Sequence, residues 1–245
     1  MTTLLWMTVP YVAFTSFVLG HIWRYRHDQF GWTTRSSQLY ESRLLRLGSP
    51  LFHFGLLAVL LGHVLGIVVP ASWTAALGVS EHAYHLLSVS FGTLSGLATV
   101  AGLAILLYRR ITVPAVRKVT TTLDKVMYLL LTAAVLTGML NTVGSNLIGG
   151  GYDYRATVSP WFRSLFTLSP QPELMAAVPL SFQLHNLVVL VLLAIWPYTR
   201  LVHVFSAPLG YLTRPYVVYR SRDALPSARR YARAWEVPTP PAARR

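Results

Sequence analysis

Histidine is the residue type whose placement in this chain could do chemistry. Eight occur in 245 residues: His21, His27, His53, His63, His82, His85, His185 and His203. Cysteine is absent, which removes disulfides, thiolate catalysis, c-type haem attachment and cysteine-ligated iron–sulfur clusters. Any metal or cofactor must then use histidine, methionine, carboxylate or backbone ligands. His53, His63, His185 and His203 fall within predicted membrane spans, two on each of two spans. An ionisable side chain within a membrane is costly and marks function by default. A lone one can be a helix–helix hydrogen bond, but four arranged in twos argue for more. Neutral imidazoles facing each other across a gap between helices suit the two axial positions of a haem iron.

The elements that must position them follow from hydropathy and charge. Hydrophobic residues make up 53% of the chain and charged residues 12%, about half the charged share usual in soluble domains. Mean hydropathy is +0.48. A disordered chain and a soluble monomer are both excluded, so the chain reads as an integral membrane protein. Met1–Gly20, Leu47–Ser80, His82–Tyr108, Val126–Tyr152 and Leu174–Thr199 carry no charge, and each meets the roughly 20 residues needed to cross a ~30 Å hydrocarbon core. Trimming at prolines and polar residues predicts helices over Leu4–Trp23, Leu51–Val69, His85–Tyr108, Lys125–Gly144 and Leu180–Ser206. The expected fold is all-α, an integral membrane bundle of five transmembrane helices. The first stretch lacks a basic n-region and an Ala-x-Ala site, and is expected to remain as an uncleaved span. Ser145–Pro179 reads as a loop with a short interfacial helix around Pro160–Leu168. The division expected is a five-helix domain over 1–222 and a mobile Arg/Pro/Ala-rich cytoplasmic tail over 223–245.

A net charge of +13 could suggest nucleic acid, but in a membrane protein it reads as loops obeying the positive-inside rule. Nineteen Lys and Arg lie after the first helix, between the third and fourth, and from Arg200 onward; the other side has only Arg155 and Arg163. This predicts the N-terminus outside, the C-terminus in the cytoplasm, and no nucleic-acid partner. The second helix then runs outward and the fifth inward. His53 and His203 share the cytoplasmic depth, and His63 and His185 the outer depth. At ~1.5 Å per residue the histidines are about 15 Å apart on the second helix and about 27 Å apart on the fifth. Tilt, imidazole reach or a kink at Pro197 must absorb that mismatch. Gly55, Gly62, Gly66, Gly92 and Gly96 lie near the second-helix histidines or on the third helix, where they suit either close approach of a porphyrin or small-residue helix packing.

Several strings carry a family resemblance: Ser49-Pro-Leu-Phe-His-Phe-Gly, Gly62-His-Val-Leu-Gly, Phe182-Gln-Leu-His, and Arg200-Leu-Val-His-Val-Phe-Ser-Ala-Pro-Leu-Gly-Tyr-Leu-Thr-Arg. Together with Trp32–Gln38 and Thr120–Thr122, they resemble the gamma subunit of bacterial respiratory nitrate reductase, over roughly residues 1–222. The resemblance implies a multi-pass protein of the bacterial cytoplasmic membrane carrying two haem b. Electrons from menaquinol or ubiquinol would pass to a cytoplasmic iron–sulfur subunit and a molybdenum catalytic subunit. Where some members carry lysines before the third helix, this chain has Glu81-His82-Ala83-Tyr84-His85. A quinol oxidised beside the outer haem must lose two protons, and an imidazole with an ordinary pKa near ~6.5 can accept one. His82, Tyr84 and His85 are therefore the quinol-site candidates, His85 favoured as one turn deeper. His21 and His27, beside Arg24 and Arg26, are expected to be interfacial anchors.

Competing readings are a dihaem cytochrome b of another quinone-linked complex (formate dehydrogenase, hydrogenase, sulfite or heterodisulfide reductase type), a proton-coupled transporter, and a bare membrane anchor. A transporter predicts intramembrane carboxylates or broken helices in symmetric halves, yet five spans do not halve and no acid lies deep in one. A bare anchor leaves four intramembrane histidines unexplained.

Overall fold

A computed structural model describes residues 2–206 and Thr213. The chain divides into two units, Met1–Ser206 and Ala207–Arg245. The expected boundary at residue 222 and the tail 223–245 lie outside the described residues.

The regular structure of the first unit is all helical, with no strand among the described residues. Five helices are long and apolar enough to cross a membrane: α1 (Leu4–His27), α2 (Arg43–Val68), α3 (Glu81–Thr112), α4 (Thr122–Ile148) and α5 (Leu180–Tyr198). Their outward faces are apolar, with Val12, Leu61, Leu94 and Leu129 all exposed, as lipid-facing positions require. Local chemistry explains where α3 and α4 begin. The Ser80 hydroxyl accepts the Ala83 N–H at 3.2 Å with Glu81 in the first turn, and Thr121 with Asp124 forms a reciprocal capping box.

Boundaries shift by a few residues at most helix ends, and three of the differences bear on the site. α2 begins at Arg43 rather than Leu51, because Pro50 removes one backbone bond without ending the helix. α3 begins at Glu81, four residues early, so His82, Tyr84 and His85 all lie in its first turns. α5 stops well before Ser206. Its α-helical part ends at Ile195, a 3₁₀ turn spans Trp196–Tyr198, and Thr199 is extended at φ −102°, ψ 179°. A separate 3₁₀ segment, Arg200–Ser206, carries His203, which therefore lies beyond the membrane-spanning helix instead of within it. The short helix expected around Pro160–Leu168 spans Val158–Phe166.

Helix packing runs α2 on α3, α3 on α4, α4 on α5, and α5 on α1, with α2 and α3 in the most extensive contact. The two histidine-bearing helices, α2 and α5, each pack on other helices and are not paired with each other in that series. One apolar cluster (Trp6, Val158, Trp161, Leu165, Met175, Val178 and Phe182) ties the short helix to α1 and α5, reinforced by the Trp161 indole N–H donating to the Trp6 carbonyl at 2.8 Å. A second (Phe52, Leu103, Met127, Leu131 and Leu192) joins α2 to α5 through α3 and α4.

Most of the glycines weighed for porphyrin approach serve packing. A Cβ at Gly55 would meet the Thr99 nitrogen at 2.8 Å, and one at Gly96 would collide with the Met139 sulfur. Gly66 sits against the Tyr154 and Tyr84 hydroxyls and Gly92 against Thr142, whereas Gly62 has nothing within 4 Å.

Candidate functional site

The structure brings the four histidines together as two pairs. The His53 and His203 ring centres are 6.1 Å apart and steeply inclined at 71°. The His63 and His185 centres are also 6.1 Å apart, inclined at 33°. His53 and His63 are exposed along one side of α2, while His185 and His203 are half-buried.

The helical spacing behind this is simple. Ten residues separate His53 from His63, and α5 keeps its α-helical winding for ten residues after His185, to Ile195. The extra eight residues before His203 go into the break at Trp196–Thr199 and the segment after it. Pro197 starts the break by lacking an N–H and by its ring geometry. Arg24, buried on α1, holds the freed end: one guanidinium nitrogen donates to the Pro197 carbonyl at 2.6 Å and the Thr199 carbonyl at 3.1 Å, and another bonds the Gly31 carbonyl.

Three of the four histidines use Nδ1 within their own segment. His53 donates to the Ser49 carbonyl at 2.7 Å, His63 to Val59 at 2.8 Å and His203 to Arg200 at 2.7 Å. A carbonyl only accepts, so Nδ1 carries the proton and Nε2 keeps its lone pair free. His185 differs: its Nδ1 lies 3.1 Å from the Thr137 hydroxyl on α4, which itself donates to the Ala133 carbonyl at 2.7 Å.

These residues fit a bis-imidazole haem. A metal–nitrogen bond of about 2.0 Å, with each ring centre about 1.1 Å beyond its nitrogen, separates the two centres by about 6.2 Å. Ring N–H groups anchored on carbonyls or a hydroxyl are the outer partners that orient metal-bound histidine.

The remaining candidates lie at the end of α3 nearest the His63–His185 pair. The Tyr84 hydroxyl is 3.4 Å from that of Tyr154 and packs against Gly66, one turn past His63. The Arg155 guanidinium stacks over the Tyr84 ring at 3.9 Å and donates to Thr74 at 3.0 Å and Glu81 at 3.5 Å. Burial, then the Tyr84 hydroxyl, pushes the Tyr154 phenol above its ordinary value, so Tyr154 stays a proton-bearing group. His85 is exposed, its Nε2 3.4 Å from where a Gly151 side chain would begin; His82 is exposed and further out. His21 packs among Phe17, Trp32 and Phe205, and His27 stacks on Trp23. Both are remote from the two pairs in sequence and share no ring contact with them.

Sequence reasoning missed Arg24, Asp124, Thr137, Tyr154 and Arg155. Arg24 and Arg155 entered only as charges for orientation. The one legible signal was Asp124, an acid at one helix end whose antiparallel neighbour ends in Arg200. That carboxylate is buried and takes both bonds of the Arg200 fork, at 2.9 and 2.8 Å.

The pattern of the family described as Nitrate reductase gamma subunit matches residues 2–222. Nitrate reductase-like protein NarX of Mycobacterium tuberculosis is 55% identical over 236 residues, which cover 96% of this chain and 36% of that protein. The chain thus spans about a third of that relative's length. The nitrate reductase gamma chain of Bacillus subtilis is 49% identical over 220 residues, covering 90% of this chain and 98% of the relative. Respiratory nitrate reductase 2 gamma chain of Escherichia coli is 35% identical over 214 residues, covering 87% and 94%.

Proposed function

Because the chain belongs to the nitrate reductase gamma subunit family, we propose that it is the quinol-oxidising cytochrome b subunit of a respiratory nitrate reductase in a bacterial cytoplasmic membrane. The observation that carries this is the pair of facing imidazole sets at 6.1 Å, with every Nδ1 anchored. When bound, each of two b haems would supply a one-electron centre. His53 and His203 would hold the inner one and His63 and His185 the outer, each ring presenting Nε2 while Nδ1–H is fixed.

The positive-inside distribution of Lys and Arg supports an N-terminus outside and a cytoplasmic C-terminus, which makes the His63–His185 pair the entry side. Menaquinol or ubiquinol would be oxidised there, beside Tyr84, with His85 and then His82 taking protons toward external water. The chain's own groups carry no nitrate chemistry. Electrons therefore leave through an iron–sulfur subunit to a molybdenum subunit on the cytoplasmic side, docked on the loops around Arg24–Arg46 and Arg109–Lys118 and on Arg200–Arg222. Most of that last segment lies outside the described residues. Arg109 stiffens the first loop, donating to Ser37 at 2.9 Å and to Glu41 at 2.5 Å.

The test is a pyridine haemochrome assay on the purified chain together with isolation of its complex. Two b haems per chain and co-purification of a molybdenum subunit with quinol-dependent nitrate reduction are expected. A haem-free chain would sink the redox reading, and a different catalytic partner would move it to another quinone-linked complex.

A further inference from the structure

α4 carries no histidine, yet it reaches both His185 on α5 and His203 in the segment that follows α5. Near its middle the Thr137 hydroxyl lies 3.1 Å from His185 Nδ1, with the Ala134 carbonyl of the same helix beside it. The oxygen is fixed, because its own proton goes to the Ala133 carbonyl at 2.7 Å. The next residue, Gly138, leaves room for the ring: a Cβ there would stand 3.1 Å from His185 Cε1. Of the four paired histidines, only His185 draws this support from another helix. The other three use carbonyls three or four residues back in their own segments.

At its beginning α4 does the same for His203 by an indirect route. His203 Nδ1–H donates to the Arg200 carbonyl at 2.7 Å, in a segment that has already left the helix. What fixes Arg200 is Asp124, buried and bound through both carboxylate oxygens at 2.9 and 2.8 Å. The carboxylate is itself tied into the α4 capping box through Thr121. A bidentate guanidinium–carboxylate pair is directional and rigid, so it sets where the Arg200 carbonyl points.

We propose that α4 is the positioning element for the haem ligands on α5 and on the segment after it, Thr137 aligning His185 directly and Asp124 aligning His203 through Arg200. This rests on the dihaem reading above. A hydrogen bond accepted from the ring N–H raises the basicity of the ligating nitrogen and favours the more highly charged metal. Losing it should move that haem's midpoint potential upward.

The test uses the membrane complex and reads each haem separately by redox titration and by the low-spin paramagnetic resonance signal of ferric bis-imidazole iron. Thr137→Val keeps shape and removes the acceptor. It should raise the outer midpoint by up to about tenfold in the oxidised-to-reduced ratio, roughly 59 mV for a one-electron couple, with the inner one unmoved. Thr137→Ser should restore it. Gly138→Ala, which presses on the same ring by a different route, should perturb the same haem and serves if Thr137→Val fails to accumulate. Asp124→Asn keeps a capping oxygen but places an NH₂ group against the Arg200 fork. It should broaden the inner signal and lower haem content from two toward one, and Arg200→Lys should do the same. Two haems in the parent protein with unmoved signals in the variants would overturn the inference and leave the dihaem reading intact. So would equal shifts of both haems in every variant. Fewer than two haems in the parent would overturn that reading and the inference with it.

Discussion

The crossing of α2 and α3 at Gly102 should control one histidine pair. An ideal Cβ on Gly102 would stand 2.3 Å from the Phe52 nitrogen and 2.6 Å from its Cα. Both are backbone atoms, so no side chain can rotate away. Relaxing that contact to a comfortable ~3.5 Å requires the helices to part by about 1.2 Å. Phe52 precedes His53, whose ring lies 6.1 Å from that of His203. Metal–nitrogen bonds tolerate displacements of only about 0.2 Å, so a helix shift of this size exceeds what the site absorbs by severalfold. Overpacking of a close contact costs about 1–3 kcal/mol, and a backbone-to-backbone clash belongs at the upper end. Gly102→Ala should therefore lower the temperature at which the haem signal is lost and deplete the inner haem. The outer pair, ten residues further along α2, should be largely retained. Redox-resolved absorption spectra of the purified variant provide the assay. Parental intensity in both components, with parental thermal stability, would refute the idea that this crossing places His53.

Haem stoichiometry tests the pairing itself: His53→Ala/His203→Ala and His63→Ala/His185→Ala should each leave one haem per chain, whereas His53→Ala/His63→Ala should leave none. One haem retained in that cross-pair variant would show that the rings do not act in the pairs seen here. At the quinol end, Tyr84→Phe and the double variant His82→Ala/His85→Ala should slow quinol-driven haem reduction at least tenfold with both haem spectra intact; unchanged kinetics in the double variant would exclude the site. A pH dependence is expected at the opposite end. Burial works to raise the Glu41 carboxyl, but the Leu44 N–H and the Arg109 guanidinium outweigh it and hold it below the usual range. The stabilisation is then present above the unfolded carboxylate value, about 4.3, and is lost as pH falls through the lower folded value. Protease protection of the loop 28–42 should persist at pH 5, and its loss between pH 7 and 5 would contradict the Glu41–Arg109 contact.

What the sequence determined by itself is what lipid dictates. Backbone cannot stay unpaired in hydrocarbon, so charge-free runs of sufficient length had to be helices, and all five are present. Depth along antiparallel helices set His53 opposite His203 and His63 opposite His185, because residue number converts to depth at a fixed rise while a helix lasts. That conversion fails where α5 ends. Pro197 signalled a kink, but only the folded chain shows a full break, held by an arginine more than 170 residues away in sequence. The glycines were equally ambiguous, since an absent side chain does not announce its neighbour; Met139, Thr99 and Tyr154 supply the answer. Thr137, Asp124 and Arg155 belong to the same class. Each is an ordinary polar residue in the one-dimensional pattern, and each acquires its role from a partner on another helix. Hydropathy and charge are sums over a segment and survive in the sequence. Hydrogen bonds between segments depend on which faces packing brings together, and that was decided only in three dimensions.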